Sequence, residues 1–206
     1  MYSGGLLMPT VKQVSREPLR RELIAAEAIQ LLKEVGSDKL TMRALASRLG
    51  VSAMALYHHV DDKEELLRLI GDDILGRIEL PDPESAPWQE LFLFATHASM
   101  DALCSVPGLS AVLLSSKLLE NARSLVVFSL RQFERAGLSN TDAQAAYAGV
   151  QLLCLGRLVV QENMNFAAHG GVSRDAELSG YMDILRSDAT FDRALLALLE
   201  PYVTDA

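Results

Sequence analysis

The chain has 206 residues, half of them hydrophobic and only 6% aromatic, with a formal net charge of −8. That length can bury a substantial core in one or two domains. Abundant Ala and Leu with no useful strand-like alternation exclude a β-rich fold and predict an all-α protein. The longest apolar candidate, about residues 109–130, is interrupted by Lys117, Glu120 and Arg123, and the opening MYSGGLLMPT has no basic n-region. A cytoplasmic chain with no membrane partner is therefore expected.

In chain order, residues 1–14 read as an arm, and a first helix is expected over 16–35. Its inner face is Leu23, Ile24, Ala28, Leu31, Leu32 and Val35, Pro18 is tolerable in its first turn, and Gly36 ends it. The stretch 40–66 carries the most information. Thr41 can cap a helix whose apolar residues Met42, Leu45, Ala46 and Leu49 follow an i, i+3, i+4, i+7 stripe. Gly50 stands where a helix ends in a left-handed residue, Val51 packs the turn, and Ser52 can cap a short helix to His59. Leu56 and Val60 point that helix at the core, which leaves Ala53, Met54, Ala55, Tyr57 and His58 facing outward. Asp61 or Asp62 then caps a fourth helix running to about Ile78, with Glu64 and Glu65 favourable in its first turn.

Two short helices joined by a glycine turn form a helix-turn-helix, in which the second helix offers its N-terminal residues to base edges. Ala53 and Ala55 permit close approach, and their methyl groups can touch thymine. Tyr57, His59 and Lys63 suit phosphate oxygens, and Arg43 can reach a base or a phosphate. His58 and His59 diverge by about 100° on a helix, too far to share a metal ion, so no metal is expected. The charge distribution agrees with DNA binding. Residues 1–60 hold eight basic against five acidic residues, a surplus of three, which leaves a net of eleven negative charges on the remainder. An acidic body also discourages wrong docking of DNA.

The run Arg43-Ala-Leu-Ala-Ser-Arg-Leu-Gly-Val-Ser, then Ala-Leu-Tyr57-His-His59-Val, then Asp62-Lys63-Glu-Glu-Leu-Leu, resembles the DNA-binding domain of tetracycline-repressor (TetR) family regulators over about residues 16–70. The resemblance implies that Tyr57 and His59 grip the DNA backbone and that Lys63 meets a phosphate. Arg43, Ala53, Met54 and His58 match base-facing or nearby positions. With Thr41 and Ser52 at the two helix starts, these complete the expected DNA-contacting set.

Pro81, Pro83 and Pro87 punctuate the chain most sharply. They suggest a three-helix helix-turn-helix domain at 15–62, a connecting helix at 63–80 and a larger helical domain at 81–206. Further helices are expected at about 88–105, 108–114, 117–136, 140–168 and 189–202. The 140–168 segment is apolar around most of its circumference, so it should run through the middle of its domain or break near Gly156. Cys104 and Cys154 lie in apolar stretches without metal-ligand spacing and read as buried, reduced thiols.

The family resemblance implies that this body binds an effector and dimerises through an intersubunit four-helix bundle. The helices at 117–136 and 189–202, with stripes Leu118, Leu125, Phe128 and Leu195, Leu198, Leu199, are expected to build it. Polar residues isolated in apolar helices, His97, Asp101, Gln151 and Arg157, are candidate effector contacts because burying them alone is costly. Phe94, Met100, Leu113 and Tyr147 would supply apolar walls. Trp88-Gln89 after the fourth helix is similar to the tetracycline-binding class, but Ala95, Ser99 and Leu113 fall where that class places polar, aromatic and chelating groups. Tetracycline–Mg²⁺ is not expected as the effector. No nucleophile elbow, glycine-rich phosphate loop or zinc spacing is present, so neither catalysis nor a cofactor is expected. The leading reading is a homodimeric, ligand-responsive repressor on an inverted-repeat operator in double-stranded DNA. An activator or a non-DNA-binding adaptor of the same fold is the alternative.

Overall fold

A computed structural model describes residues 19–36, 39–106, 109, 122–167 and 176–202. The described residues form nine α-helices and no strand. These are α1 Arg21–Val35, α2 Met42–Leu49, α3 Ala53–Tyr57, α4 Lys63–Gly76, α5 Trp88–Cys104, α6 Arg123–Arg135, α7 Asn140–Ala167, α8 Ala176–Arg186 and α9 Asp188–Leu199, closed by a 3₁₀ turn at Glu200–Tyr202.

The head packs α1 against α2 and α4, with α3 on α2. Ile24, Ala28 and Leu32 of α1 meet Leu45 of α2, Leu56 of α3 and Leu66 and Ile70 of α4 in one buried cluster. That cluster does not stop at the head. It continues through Leu75 into Leu91, Ala95, Met100 and Leu103 of α5 and Leu125 and Phe128 of α6. α4 is thus bound to both halves by the same apolar surface. A second cluster joins Phe92, Phe133, Ala146, Val150, Phe191 and Leu195, with the Phe92 and Phe133 rings edge to face at 5.0 Å.

The connector between α4 and α5 is pinned to α6 by polar groups. Gln132, fully buried, donates to the Pro83 carbonyl (3.3 Å) and accepts from Arg135 (2.7 Å). Arg135 also donates to the carbonyls of Pro83 (2.7 Å) and Ala86 (2.9 Å), and Arg131 pairs with Glu84 at 2.7 Å. Two carbonyls of the proline-rich connector, Pro83 and Ala86, are thereby satisfied by one helix face.

Several expectations need correcting. Leu19 and Arg20 precede the first helix, and Arg20 is extended (φ −128°, ψ 155°), so α1 starts at Arg21 rather than 16. Val35 is exposed. Leu118 lies outside the described residues, as do residues 108 and 110–114 of the expected short helix. The α6 stripe, Leu125 and Phe128, is buried within its own chain, as are Leu195 and Leu199, so those side chains are spent on the subunit's core. α7 runs unbroken through Gly156, yet it is not surrounded: Leu152 (69% exposed) and Val159 (45%) face solvent. Asn140–Gln161 is long and apolar enough to cross a membrane by length and composition, which the sequence reading did not assign. Its other face carries Ala143, Ala146, Val150 and Leu158 into the core. α8 was missed altogether. Cys104 is exposed and its thiol donates to Gln161 Oε1 at 3.1 Å. Cys154 is partly buried, and desolvation pushes its thiol up to about 12.

Candidate nucleic-acid interface

The starts of α2, α3 and α4 and the end of α2 each have a local chemical cause. Thr41 Oγ1 accepts the Ala44 N–H (3.1 Å), which sets the start of α2. Gly50 adopts the left-handed conformation (φ 65°, ψ 32°), its N–H reaches Ser47 O, and the Val51 N–H returns to Ala46 O. Ser52 Oγ accepts the Ala55 N–H (3.1 Å) to start α3. Asp62, rather than Asp61, caps α4 by accepting the Glu65 N–H at 2.8 Å.

α3 is only five residues long, with His58 and His59 in the turn after it. Leu56 and Val60 are fully buried and orient it. The opposite face carries Met54, 68% exposed, with Tyr57 (46%) and His58 at the i+3 and i+4 positions from it. Ala53 and Ala55 are half-buried, and Ala53 packs against the core. Arg43 on α2 and Lys63 at the first position of α4 are exposed, while His59 is half-buried. The structure therefore offers an apolar–aromatic–imidazole face on α3, with a basic side chain on each neighbouring helix.

Two arginines of this region are engaged within the head. Arg48 donates from Nε to Glu27 (2.7 Å) and from Nη1 to Glu34 (2.6 Å), which fastens α2 to α1. The Glu34 and Glu27 hydrogen bonds raise its pKa further. Arg21 donates from Nη1 to the His59 carbonyl (2.6 Å) and from Nη2 to Glu65 Oε1 (3.0 Å). Glu65 Oε2 in turn accepts the Asp61 N–H at 2.7 Å. That backbone N–H, followed by Arg21, holds the Glu65 carboxyl below its ordinary range. Sequence reasoning missed the Arg21–Glu65 pair, because 44 residues separate the partners and neither lies in a local pattern.

In the body, the structure brings His97 and Arg157 to the same aromatic ring. His97 Nε2 lies 2.6 Å from Asp192 Oδ1, with its ring edge-on to Phe191. Arg157, buried, sits with its guanidinium 5.6 Å above that ring and donates to the Leu185 carbonyl (3.1 Å) and Asp188 (2.5 Å). Tyr147 and Gln151 pair one turn apart on α7, and burial pushes the Tyr147 phenol up against the opposing effect of the Gln151 hydrogen bond. Met100 belongs to the core, Phe94 and Asp101 are exposed, and Leu113 lies outside the described residues.

Comparison with known proteins places this geometry. The profile of bacterial regulatory proteins of the tetR family matches residues 24–70, which covers α2 and α3, most of α1 and the first half of α4. An HTH-type transcriptional regulator of Saccharopolyspora erythraea is 31% identical over 156 residues, spanning 74% of this chain and 66% of that protein. The class D tetracycline repressor protein of Escherichia coli is 31% identical over 147 residues, spanning 70% of this chain and 67% of its own length. Among solved structures, a TetR variant from Acinetobacter baumannii AYE in complex with minocycline superposes with a TM-score of 0.69 at 25% identity. That match covers 90% of this chain and 97% of the other.

Proposed function

Because the chain belongs to the tetR family of bacterial regulatory proteins, a family of DNA-binding transcription regulators, we propose that it is a homodimeric repressor. It would hold an inverted-repeat operator and release it when a small molecule binds the body. The observation that carries the DNA reading is the outward face of α3. Met54, Tyr57 and His58 are exposed on a helix whose opposite side is anchored by Leu56, the arrangement a major-groove reader requires. Arg43, Ala53, Met54 and His58 face bases or their neighbours, and Tyr57, His59 and Lys63 hold the phosphate backbone. Thr41 and Ser52, at the helix starts, complete the contacting set.

The dimer is supported by α7 and α9 rather than by α6. Ala145, Ala148, Leu152, Gly156 and Val159 recur at three- and four-residue steps along the uncovered side of α7, and Ala189, Arg193 and Ala197 recur at four-residue steps on α9. Leu198 of α9 presses so closely on Gly149 that a Cβ there would stand 2.9 Å from it, which holds the two helices side by side. A second copy would cover both faces in one four-helix contact and supply the second reader at the next half-site.

The effector is assigned to the body, with His97, Asp101, Gln151 and Arg157 as its polar contacts and Phe94, Met100, Leu113 and Tyr147 as its apolar ones. The minocycline complex of a similar structure supports small-molecule binding. The test is selection of genomic fragments by the purified protein above about 150 mM salt, where non-specific binding fades. An inverted repeat among the retained fragments supports the reading. Retention without sequence preference rejects it in favour of an adaptor.

A further inference from the structure

Arg21 lies in the basic part of the chain, half-exposed beside the recognition helix. Composition alone would count it among the phosphate contacts. Its hydrogen bonds say otherwise. One guanidinium edge holds the carbonyl that ends the α3 turn (His59, 2.6 Å) and the other holds a carboxylate in the first turn of α4 (Glu65, 3.0 Å). Glu65 uses its second oxygen to hold the Asp61 N–H at 2.7 Å, in the turn between those helices. The turn from His59 to Asp62 is therefore gripped from both sides, through a carbonyl and an N–H, by two side chains that are themselves paired. Tyr57 precedes this turn and Lys63 follows it.

Resting on the DNA-binding reading above, we propose that Arg21 and Glu65 are positioning residues for operator recognition. They fix the angle at which α3 leaves toward α4 and hence the spacing of Tyr57 and His58 from Lys63, without touching DNA. A planar guanidinium can make both bonds at once and an ammonium cannot span them with the same geometry, so the arrangement is specific to Arg. Coupling through a shared pair makes the two residues act as one unit.

Three substitutions, Arg21→Gln, Arg21→Lys and Glu65→Gln, together with the Arg21→Gln/Glu65→Gln double variant, test this on the full chain. The DNA probes are the genomic fragment retained by the wild type and a scrambled duplex of equal length. The expected result is a loss of about tenfold in affinity for the retained fragment in each single variant. Affinity for the scrambled duplex and the log K against log[salt] slope stay unchanged, Lys does not rescue, and the double variant is no worse than the weaker single one. A slope lower by about 0.9 per subunit in Arg21→Gln, with Glu65→Gln inert, overturns the proposal and makes Arg21 a phosphate ligand. A second measurement needs no DNA. Amide exchange at Asp61 should accelerate in Arg21→Gln and Glu65→Gln while exchange in α1 and α5 holds. Unchanged exchange at Asp61 overturns the brace even if no operator is ever recovered, whereas a wild type with no sequence preference but accelerated exchange in the variants fails only the DNA reading.

Discussion

At the scale of single residues, solvent exposure separates the side chains that read from those that hold. Tyr57 is nearly half exposed, while Leu56 beside it is fully buried. Tyr57→Ala should therefore weaken operator binding at least about tenfold and leave Tm nearly unchanged, since a surface substitution costs little stability. Survival of full affinity in a titration would return Tyr57 to a packing role. Lys63→Ala should weaken all duplexes alike and lower the salt slope by about one per subunit, read from binding isotherms at several salt concentrations. Glu65 makes a pH prediction. Its carboxyl is held below its ordinary range in the folded state, so its contribution to stability is present above that range and is lost as pH falls through the depressed value. Urea midpoints measured down the acid limb should fall less steeply in Glu65→Gln than in the wild type.

At the scale of elements, the head was legible because its signals are local. Thr41, Ser52 and Asp62 announce the starts of α2, α3 and α4 and Gly50 the end of α2, each within four residues of the groups it satisfies, whereas α3, expected to run to His59, ends at Tyr57. Gly50 also sets a measurable limit: at φ 65° a Cβ is strained, and Gly50→Ala should cost about 1–2 kcal/mol in denaturant unfolding. Where the determinant is distant, the sequence is silent. α8 holds Gly180 and follows a glycine pair, so its periodicity reads as loop, although Arg157, twenty-eight residues before Leu185, holds the helix end by donating to the Leu185 carbonyl. The body's candidate contacts were found as residue types but not as a grouping: nothing near His97 in the chain points to Asp192 or Phe191.

At the scale of the molecule, α7 shows what hydropathy does not decide. An apolar helix has the same composition whether its own chain or a second one covers it, so Leu152 and Val159 read as core in the sequence and stand in solvent in the single subunit. On α6 the stripe expected to face a second copy, Leu125 and Phe128, is instead buried within the subunit. Leu152→Glu should convert the protein to monomers in sedimentation velocity with helical content retained, and should reduce affinity for a two-half-site operator far more than for a half-site. A variant that remains dimeric would place the interface elsewhere. The sequence did show the charge asymmetry, a basic head on an acidic body, because charge needs no partner to be counted.

The polar clamp of Gln132, Arg131 and Arg135 on the connector would set where the proposed release of DNA starts. With the connector after α4 moored to α6, the helix is a beam with a fixed root, and its other end, packed on α1, follows directly from α3. Fourteen residues make a beam of about 21 Å, so a tilt of about 10° displaces the tip by nearly 4 Å, roughly one base-pair step along DNA. A small angular change at the root is thus enough to put a reading head out of phase with its groove, and loosening the mooring would blunt that gearing without altering a single contact to DNA.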